Sequence, residues 1–217
     1  KGLSNNKVKT LTIISTDKAA QPKNILGLTK RVSEIIAENF FSSNYMLNTK
    51  LSIVRFGNVF ASQGSAIQLF CEQIKKGGPI TITDFRARRY FMSIKEACNL
   101  VLQSCHLKNK NKIFLLRMGK SIKIIDIIRK LIILLGYKDK EIKIIETGLR
   151  KGEKLKEKLS ISRKFFKSKH KDILLVNEPK YSSASIAILL QEIRNDMINF
   201  SEQKIVKKIR NFLKKEI

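Results

Sequence analysis

The sequence predicts an α/β fold. Apolar runs of strand length alternate with runs of helical period along most of the chain, and that alternation is the mark of helices packed on a largely parallel sheet. The first run, residues 8–14, consists mostly of Val, Ile, Leu and Thr, as suits a strand buried on both faces. At 217 residues the chain can form one sizeable domain, or a half-domain with a substrate subdomain.

The elements follow in order. A strand over 8–15 leads into a loop marked by Pro22 and Asn24. Asn24 is placed to cap a helix over 24–44, whose apolar positions Ile25, Leu28, Val32, Ile35 and Ile36 recur with helical spacing. A strand over 51–56 leads to the loop 57–64. A helix over 65–75 ends at Gly77-Gly78-Pro79, and a short strand follows over 80–83. The pattern then predicts a helix over 94–106, a strand over 112–116, a helix over 122–135, a strand over 142–145 and a short helix after Gly152. Residues 161–217 read as a basic helical tail with helices over 183–198 and 202–214, whose apolar stripes point to packing.

Composition limits the function classes. Cys71, Cys98 and Cys105 are an odd set with no C-x-x-C pair, which suggests neither a disulfide scaffold nor a zinc site; they read as small core residues in a reducing cytoplasm. His106 and His170 have no companions at metal-ligand spacing and read as surface residues, so no metal is expected. No apolar run approaches the roughly 20 residues that span a bilayer, and no signal peptide is present. The formal charge is +26. Nucleic-acid binding is one reading of it. The other is a lysine- and isoleucine-biased composition spread over ordinary surfaces. The basic residues are dispersed from Lys7 to Lys215 without a recognition motif, which argues against nucleic acid, although the segments 164–171 and 204–215 could meet anionic surfaces.

The most informative stretch is Ser15 to Lys30. Thr16, Asp17 and Lys18 fall where strand becomes loop, and ligands of open α/β sheets bind outside the carboxyl ends of strands. Lys30 lies about one helical turn beyond Leu26 on the same helix face. Taken singly, Asp17 could be a loop-capping carboxylate and Lys18 a solvated lysine.

Together the residues carry a family resemblance. The run Ser15-Thr16-Asp17-Lys18-Ala19, with Pro22, Asn24, Gly27, Lys30 and Arg31, precedes Val54-Arg55-Phe56-Gly57-Asn58-Val59. Gly64-Ser65, residues 77–83, Arg89-Tyr90-Phe91-Met92 and residues 147–154 follow in order. The pattern resembles the extended short-chain dehydrogenases/reductases, and within them the CapD-like polysaccharide-biosynthesis branch of nucleotide-sugar 4,6-dehydratases and epimerases. The resemblance spans roughly residues 10–159.

It implies the C-terminal part of a Rossmann-like NAD(P)-binding fold, a small α/β substrate-binding subdomain and the helical tail. The corresponding segments are 1–64, mainly 65–160, and 161–217. No strand, Gly-rich turn and helix of the dinucleotide-binding kind precedes Ser15, so the expectation is a C-terminal fragment or one half of a split gene, inactive alone. The implied cofactor is NAD or NADP, held mainly by an N-terminal half, and a separately encoded N-terminal half is an implied partner. The other implied partners are a UDP-sugar substrate like UDP-N-acetylglucosamine and a second copy of the chain. The implied location is the cytoplasm, or the cytoplasmic face of a membrane if the full-length protein carries N-terminal spans.

The resemblance also implies roles. Asp17 would protonate the departing hydroxyl, Lys18 would take the carbon-5 proton, and Thr16 would bond the sugar near carbon 4. A lysine acts as a base only where burial or nearby cations lower its pKa. Lys30 would hold the nicotinamide ribose and assist deprotonation at carbon 4, with Ser15 a further cofactor contact. Asn58 would meet the sugar diphosphate, and Ser65 opens a helix whose N-terminus favours phosphate. The strand carrying Thr81 and Thr83 would border the uracil. Arg89 and Arg150 would bond the diphosphate, since a guanidinium meets two phosphate oxygens together, and Glu153 would accept ribose hydroxyls. The alternatives are a surface salt bridge for Arg89 and Arg150 and a helix first-turn charge for Glu153.

There are departures from the pattern. Leu26 stands where most of the superfamily has tyrosine and this branch often methionine. Ala61, Gln68, Lys151, Lys156 and Lys158 replace glycine, proline, proline, tyrosine and glutamate. A non-catalytic basic module that binds polyanions, or a gene remnant, is therefore the alternative reading.

Overall fold

The computed structural model describes residues 8–42, 49–60, 62, 64–107, 112–157 and 165–214. Lys7, Ala61, Lys158 and Lys215, named above, lie outside them, as does residue 164. The elements in chain order are β1 (Thr10–Thr16), a 3-10 turn (Asp17–Ala19), α1 (Ile25–Ser42), β2 (Lys50–Phe56), β3 (Asn58–Val59), α2 (Ala66–Lys75) and β4 (Ile80–Ile82). Then come β5 (Arg88–Arg89), β6 (Phe91–Met92), α3 (Ile94–His106), β7 (Lys112–Leu116), β8 (Ile122–Lys123), α4 (Ile124–Leu134) and β9 (Ile144–Glu146). The last are β10 (Phe165–Lys167), β11 (Ile173–Val176), α5 (Ser183–Ile198) and α6 (Glu202–Lys214).

The chain forms two compact units. The first joins residues 1–55, 101–116 and 158–217; the second joins 56–100 and 117–157. The sequence suggested three successive segments instead. The difference arises because β7, far along the chain, pairs in parallel with β2, setting Ile53 beside Ile113.

The first unit is built on a five-stranded sheet of order β1-β2-β7-β11-β10. β11 runs antiparallel to β7 and β10 antiparallel to β11. So 161–217 is not wholly a helical tail. Ile173-Leu174-Leu175-Val176 is an unbroken apolar run of strand length, and such a run carries no alternation by which sequence alone could tell strand from helix. α1 is buried on two sides. Ala37 and Phe41 pack with Leu51, Ile53, Ile113, Leu115 and Val176 of the sheet. Leu28, Val32 and Ile35 pack with Ile186 and Leu189 of α5 and Ile209 and Leu213 of α6.

The second unit holds α2, β4 and α4 around Phe70, Ile74, Ile80, Ile82, Ile125, Ile128, Ile132 and Ile142. Each such side chain contributes about 1.5–3 kcal/mol by leaving water. β4 pairs in parallel with β9, with Thr81 opposite Ile145. The expected helix over 122–135 begins instead as strand β8, paired antiparallel to β5. The short helix expected after Gly152 is a turn followed by a bridge between Lys156 and Arg88. Its backbone is drawn into extended pairing, with the Arg88 amide donating to the Leu155 carbonyl at 2.7 Å.

The cysteines are free, as expected, but they are not core residues: Cys98 is exposed and Cys71 and Cys105 are half-buried. Helical spacing places Cys98 on the outer side of α3, where small size and solvent access coexist. His106 is an exposed residue whose Nδ1 lies 3.0 Å from the Leu102 carbonyl, whereas His170 is half-buried in a turn and accepts from the Asp172 amide. Among the described residues no helix is long and apolar enough to cross a membrane, and no group of three or more His, Cys, Asp or Glu could hold a metal.

Candidate functional sites

The first segment is the end of β1. Thr16 is extended at φ −141° and caps the 3-10 turn by accepting from the Lys18 amide at 3.4 Å. Asp17 is buried at 1% exposure, and its Oδ1 accepts from Thr16 Oγ1 at 3.0 Å and from Lys18 Nζ at 3.1 Å. The Lys18 side chain is 21% exposed, so the pair is reachable from solvent on its cationic side.

Helix α1 is set against this turn by two residues of the quoted motif. Asn24 Oδ1 accepts from the Gly27 amide at 2.8 Å, satisfying one of the donors that a helix start leaves open. Gly27 has no alternative: a Cβ there would lie 2.4 Å from the Lys18 carbonyl oxygen. The missing side chain lets the helix approach the backbone of the acid–base pair directly. Lys30 is half-buried and donates to the Ile14 carbonyl at 3.3 Å. Leu26, one turn earlier, is 52% exposed, as is Ile14 at 44%. Ser15, expected at the cofactor, turns its hydroxyl inward and donates to Glu34 Oε1 at 2.6 Å.

That bond leads to a group the sequence reading passed over. Glu34 accepts from Arg55 Nε at 2.7 Å and Nη2 at 2.6 Å, and from Arg31 Nη1 at 3.1 Å. Arg55 Nη1 reaches Glu178 at 2.5 Å, and Arg31 Nη2 donates to the Pro179 carbonyl at 3.1 Å. Burial pushes the Glu34 carboxyl up, but Arg55, Arg31 and Ser15 outweigh it and hold it below the ordinary range. Burial likewise raises Glu38, with only partial compensation from Arg31. A signal was present: Arg31 and Glu34 interrupt the apolar stripe of α1, and Arg55 interrupts an apolar strand. Charges in such positions are buried and need partners.

The second segment lies in the second unit and converges on Glu153. Its Oε1 accepts from Thr83 Oγ1 at 3.0 Å and from Arg89 Nη2 at 2.8 Å, and its Oε2 accepts from the Arg150 amide at 3.3 Å. Four residues expected to bind substrate thus meet at one carboxylate. Arg89 is 9% exposed and also donates to the Leu155 carbonyl at 3.1 Å. The Arg150 side chain is exposed and makes no ion pair among the described residues.

Thr81 is not part of this cluster. Its hydroxyl accepts from Gln73 Nε2 at 2.9 Å and its amide donates to Gln73 Oε1 at 3.1 Å, tying β4 to α2. Beside Thr83, Asp84 accepts two side-chain bonds and one amide bond from Arg86, which hold its carboxyl at about 2. Ser65 precedes α2 in extended conformation and makes no side-chain cap bond, and among the described residues its buried Oγ has no partner. Gln68 accepts from the Gly64 amide at 2.8 Å and closes the loop that leads into α2. The Asn58 amide donates to the Tyr90 carbonyl at 3.0 Å, fixing β3 beside β6.

The chain resembles several known proteins. Residues 2–179 match the family model described as "Polysaccharide biosynthesis protein". The chain is 39% identical over 201 residues to the capsular polysaccharide biosynthesis protein CapD of Staphylococcus aureus, covering 92% of this chain and 33% of that one. It is 39% identical over 154 residues to a UDP-glucose 4-epimerase of Rickettsia canadensis, covering 71% of this chain and 44% of that one. The X-ray structure of Pen from Bacillus thuringiensis superposes with a TM-score of 0.69 at 32% identity, over 81% of this chain and 54% of that one. The chain therefore spans a third to about half of the length of these proteins. The extent of the family match places this chain among the polysaccharide biosynthesis proteins.

Proposed function

We propose that the chain supplies the acid–base and sugar-nucleotide-binding part of a UDP-sugar 4,6-dehydratase acting in polysaccharide biosynthesis. The observation that carries this is the Asp17–Lys18 contact of 3.1 Å at the end of β1, with Thr16 bonded to the same oxygen. A 4-epimerase has no use for an acid at carbon 6 and a base at carbon 5; a dehydratase needs both.

In the elimination, the neutral Lys18 amine takes the carbon-5 proton. The electrons of that C–H bond form the carbon 5–carbon 6 double bond. The carbon 6–oxygen bond breaks, and the departing hydroxyl takes the proton of Asp17 to leave as water. The pair is left as ammonium and carboxylate, joined as in the structure. The Lys18 ammonium, in exchange with solvent, returns a proton to carbon 5 when carbon 6 is reduced, and Asp17 regains its proton from the one released by the carbon-4 hydroxyl. Thr16, bonded to Asp17 Oδ1, can exchange that bond for the sugar hydroxyl.

Lys30 suits a dinucleotide: it is a half-buried cation at the edge of β1, beside exposed apolar Ile14 and one turn from Leu26. NAD or NADP, when bound, supplies the oxidation and its reversal. These 217 residues contain no Gly-rich turn of the dinucleotide-binding kind, so by themselves they bind the cofactor weakly and do not turn over. Arg150, exposed at the Glu153 cluster, takes the diphosphate. Arg89 and Glu153 trade their mutual bond for phosphate and ribose hydroxyls.

To test this, the chain is joined to the dinucleotide-binding segment of a CapD relative and incubated with UDP-N-acetylglucosamine in deuterated water. The expected product is a 4-keto-6-deoxy sugar carrying deuterium at carbon 5, lost in Lys18→Met and in Asp17→Asn. A 4-epimer that retains all its hydroxyls would identify an epimerase and refute the dehydratase reading.

A further inference from the structure

We propose that Glu34 is a positioning residue that sets the end of β1, and through it the Asp17–Lys18 pair; the proposal rests on the acid–base reading of that pair. Ser15 immediately precedes Thr16, and its hydroxyl donates to Glu34 at 2.6 Å. Because strand side chains alternate in direction, holding Ser15 inward places Thr16 on the opposite face and starts the 3-10 turn from a fixed orientation.

Glu34 lies one helical turn beyond Lys30, so the two project from the same side of α1. That helix therefore takes hold of β1 twice in succession, at the Ile14 carbonyl through Lys30 and at the Ser15 hydroxyl through Glu34. Glu34 is in turn fixed in rotation. Arg55 grips both of its oxygens in a two-point contact, and Arg31 adds a third cationic bond. Arg55 is the penultimate residue of β2, and its remaining nitrogen is held by Glu178 after β11. One carboxylate thus registers the ends of β1 and β2 against α1 and the loop that follows β11.

Stability alone does not call for this group. The side chains of Arg31, Glu34, Arg55 and Glu178 are all at most 1% exposed, and apolar residues of similar volume often replace such buried sets with no loss of stability. Apolar packing is non-directional, however, and leaves a strand end free to turn or slide. Directional, charge-assisted bonds fix it. A strand whose next three residues are an orienting hydroxyl, an acid and a base is where such fixing has a use.

The test compares the full 217-residue chain with Ser15→Ala and Glu34→Gln, using residue-resolved amide hydrogen exchange and urea unfolding without substrate. In Ser15→Ala the amides of Lys18 and Ala20, which close the turn onto Thr16 and Asp17, are expected to exchange about tenfold faster. The amides of Ile53, Val54 and Phe114 keep their rates. Glu34→Gln should show the same local pattern where it folds, and Ser15→Ala, which removes no charge, answers the question if it does not. Unchanged exchange at Lys18 and Ala20, or an equal rise throughout β2 and β7, would overturn the proposal. A failure of the dehydratase reading would show in the deuterium experiment and would leave these rates as they are.

Discussion

Glu34 in the first unit and Glu153 in the second each gather arginine and hydroxyl donors from distant parts of the chain. They differ in exposure. Glu34 and both of its arginines are sealed, whereas the Glu153 side chain is 22% exposed and Arg89 11%. A sealed set can be opened only by leaving charges unpaired in a poor dielectric, while one that water partly reaches exchanges partners at lower cost. The difference teaches that the same bond types serve two ends. The first group is a frame for neighbouring residues, and the second is a surface whose bonds a ligand can take over.

Breaking the frame should have the largest effect. Arg55→Met leaves Glu34 and Glu178 short of a cation, and the expected loss is about 3–5 kcal/mol in urea unfolding. Arg89→Met, in the exchangeable set, should cost about 1 kcal/mol or less. Equal losses would erase the distinction between the two groups.

Gly27→Ala comes next. The added Cβ meets backbone at Lys18, which cannot yield as a side-chain tip would, so α1 must shift. A loss of about 1–3 kcal/mol is expected, with the amide resonances of residues 16–20 displaced more than those of β7.

Acid sharpens the comparison further. Asp84 is held at about 2 by Arg86, below its ordinary value near 4. A depressed carboxyl adds stability above its unfolded pKa and loses it as pH falls through the folded one. Asp84→Asn should therefore flatten the fall in stability between about pH 4 and 2. Glu34, also depressed, adds to the same acid loss from the sealed side. Glu38 has the opposite sign: its raised carboxyl costs stability as pH climbs above the ordinary range, and Glu38→Gln should relieve that cost.

Much of this was legible in the sequence, and the limits have physical causes. The strand before Ser15, the capped helix from Asn24 and the placement of Thr16, Asp17 and Lys18 at the strand end all follow from local periodicity and capping chemistry. The sealed group does not, because Arg55 and Glu178 are 123 positions apart and no local pattern records their meeting. Charged residues inside apolar runs at 31, 34 and 55 were the available clue. β8 is two residues long, and β10 and β11 present no alternation, so hydrophobic pattern could not separate them from neighbouring helices. The motif order singled out Thr83, Arg89, Arg150 and Glu153 one by one, but not the bonds that join them.

The smallest effect on stability is expected from Arg150→Ala, within about 0.5 kcal/mol, because that side chain is exposed and unpaired among the described residues. Its effect on binding is the most direct test of the central claim that the Glu153 cluster receives a sugar nucleotide. Isothermal titration of the chain with UDP-N-acetylglucosamine at moderate salt, beside UDP alone and beside Arg150→Ala, should show saturable binding that the substitution weakens about tenfold or more. No saturable heat from a chain shown by circular dichroism to be folded, or equal binding by the variant, would contradict it.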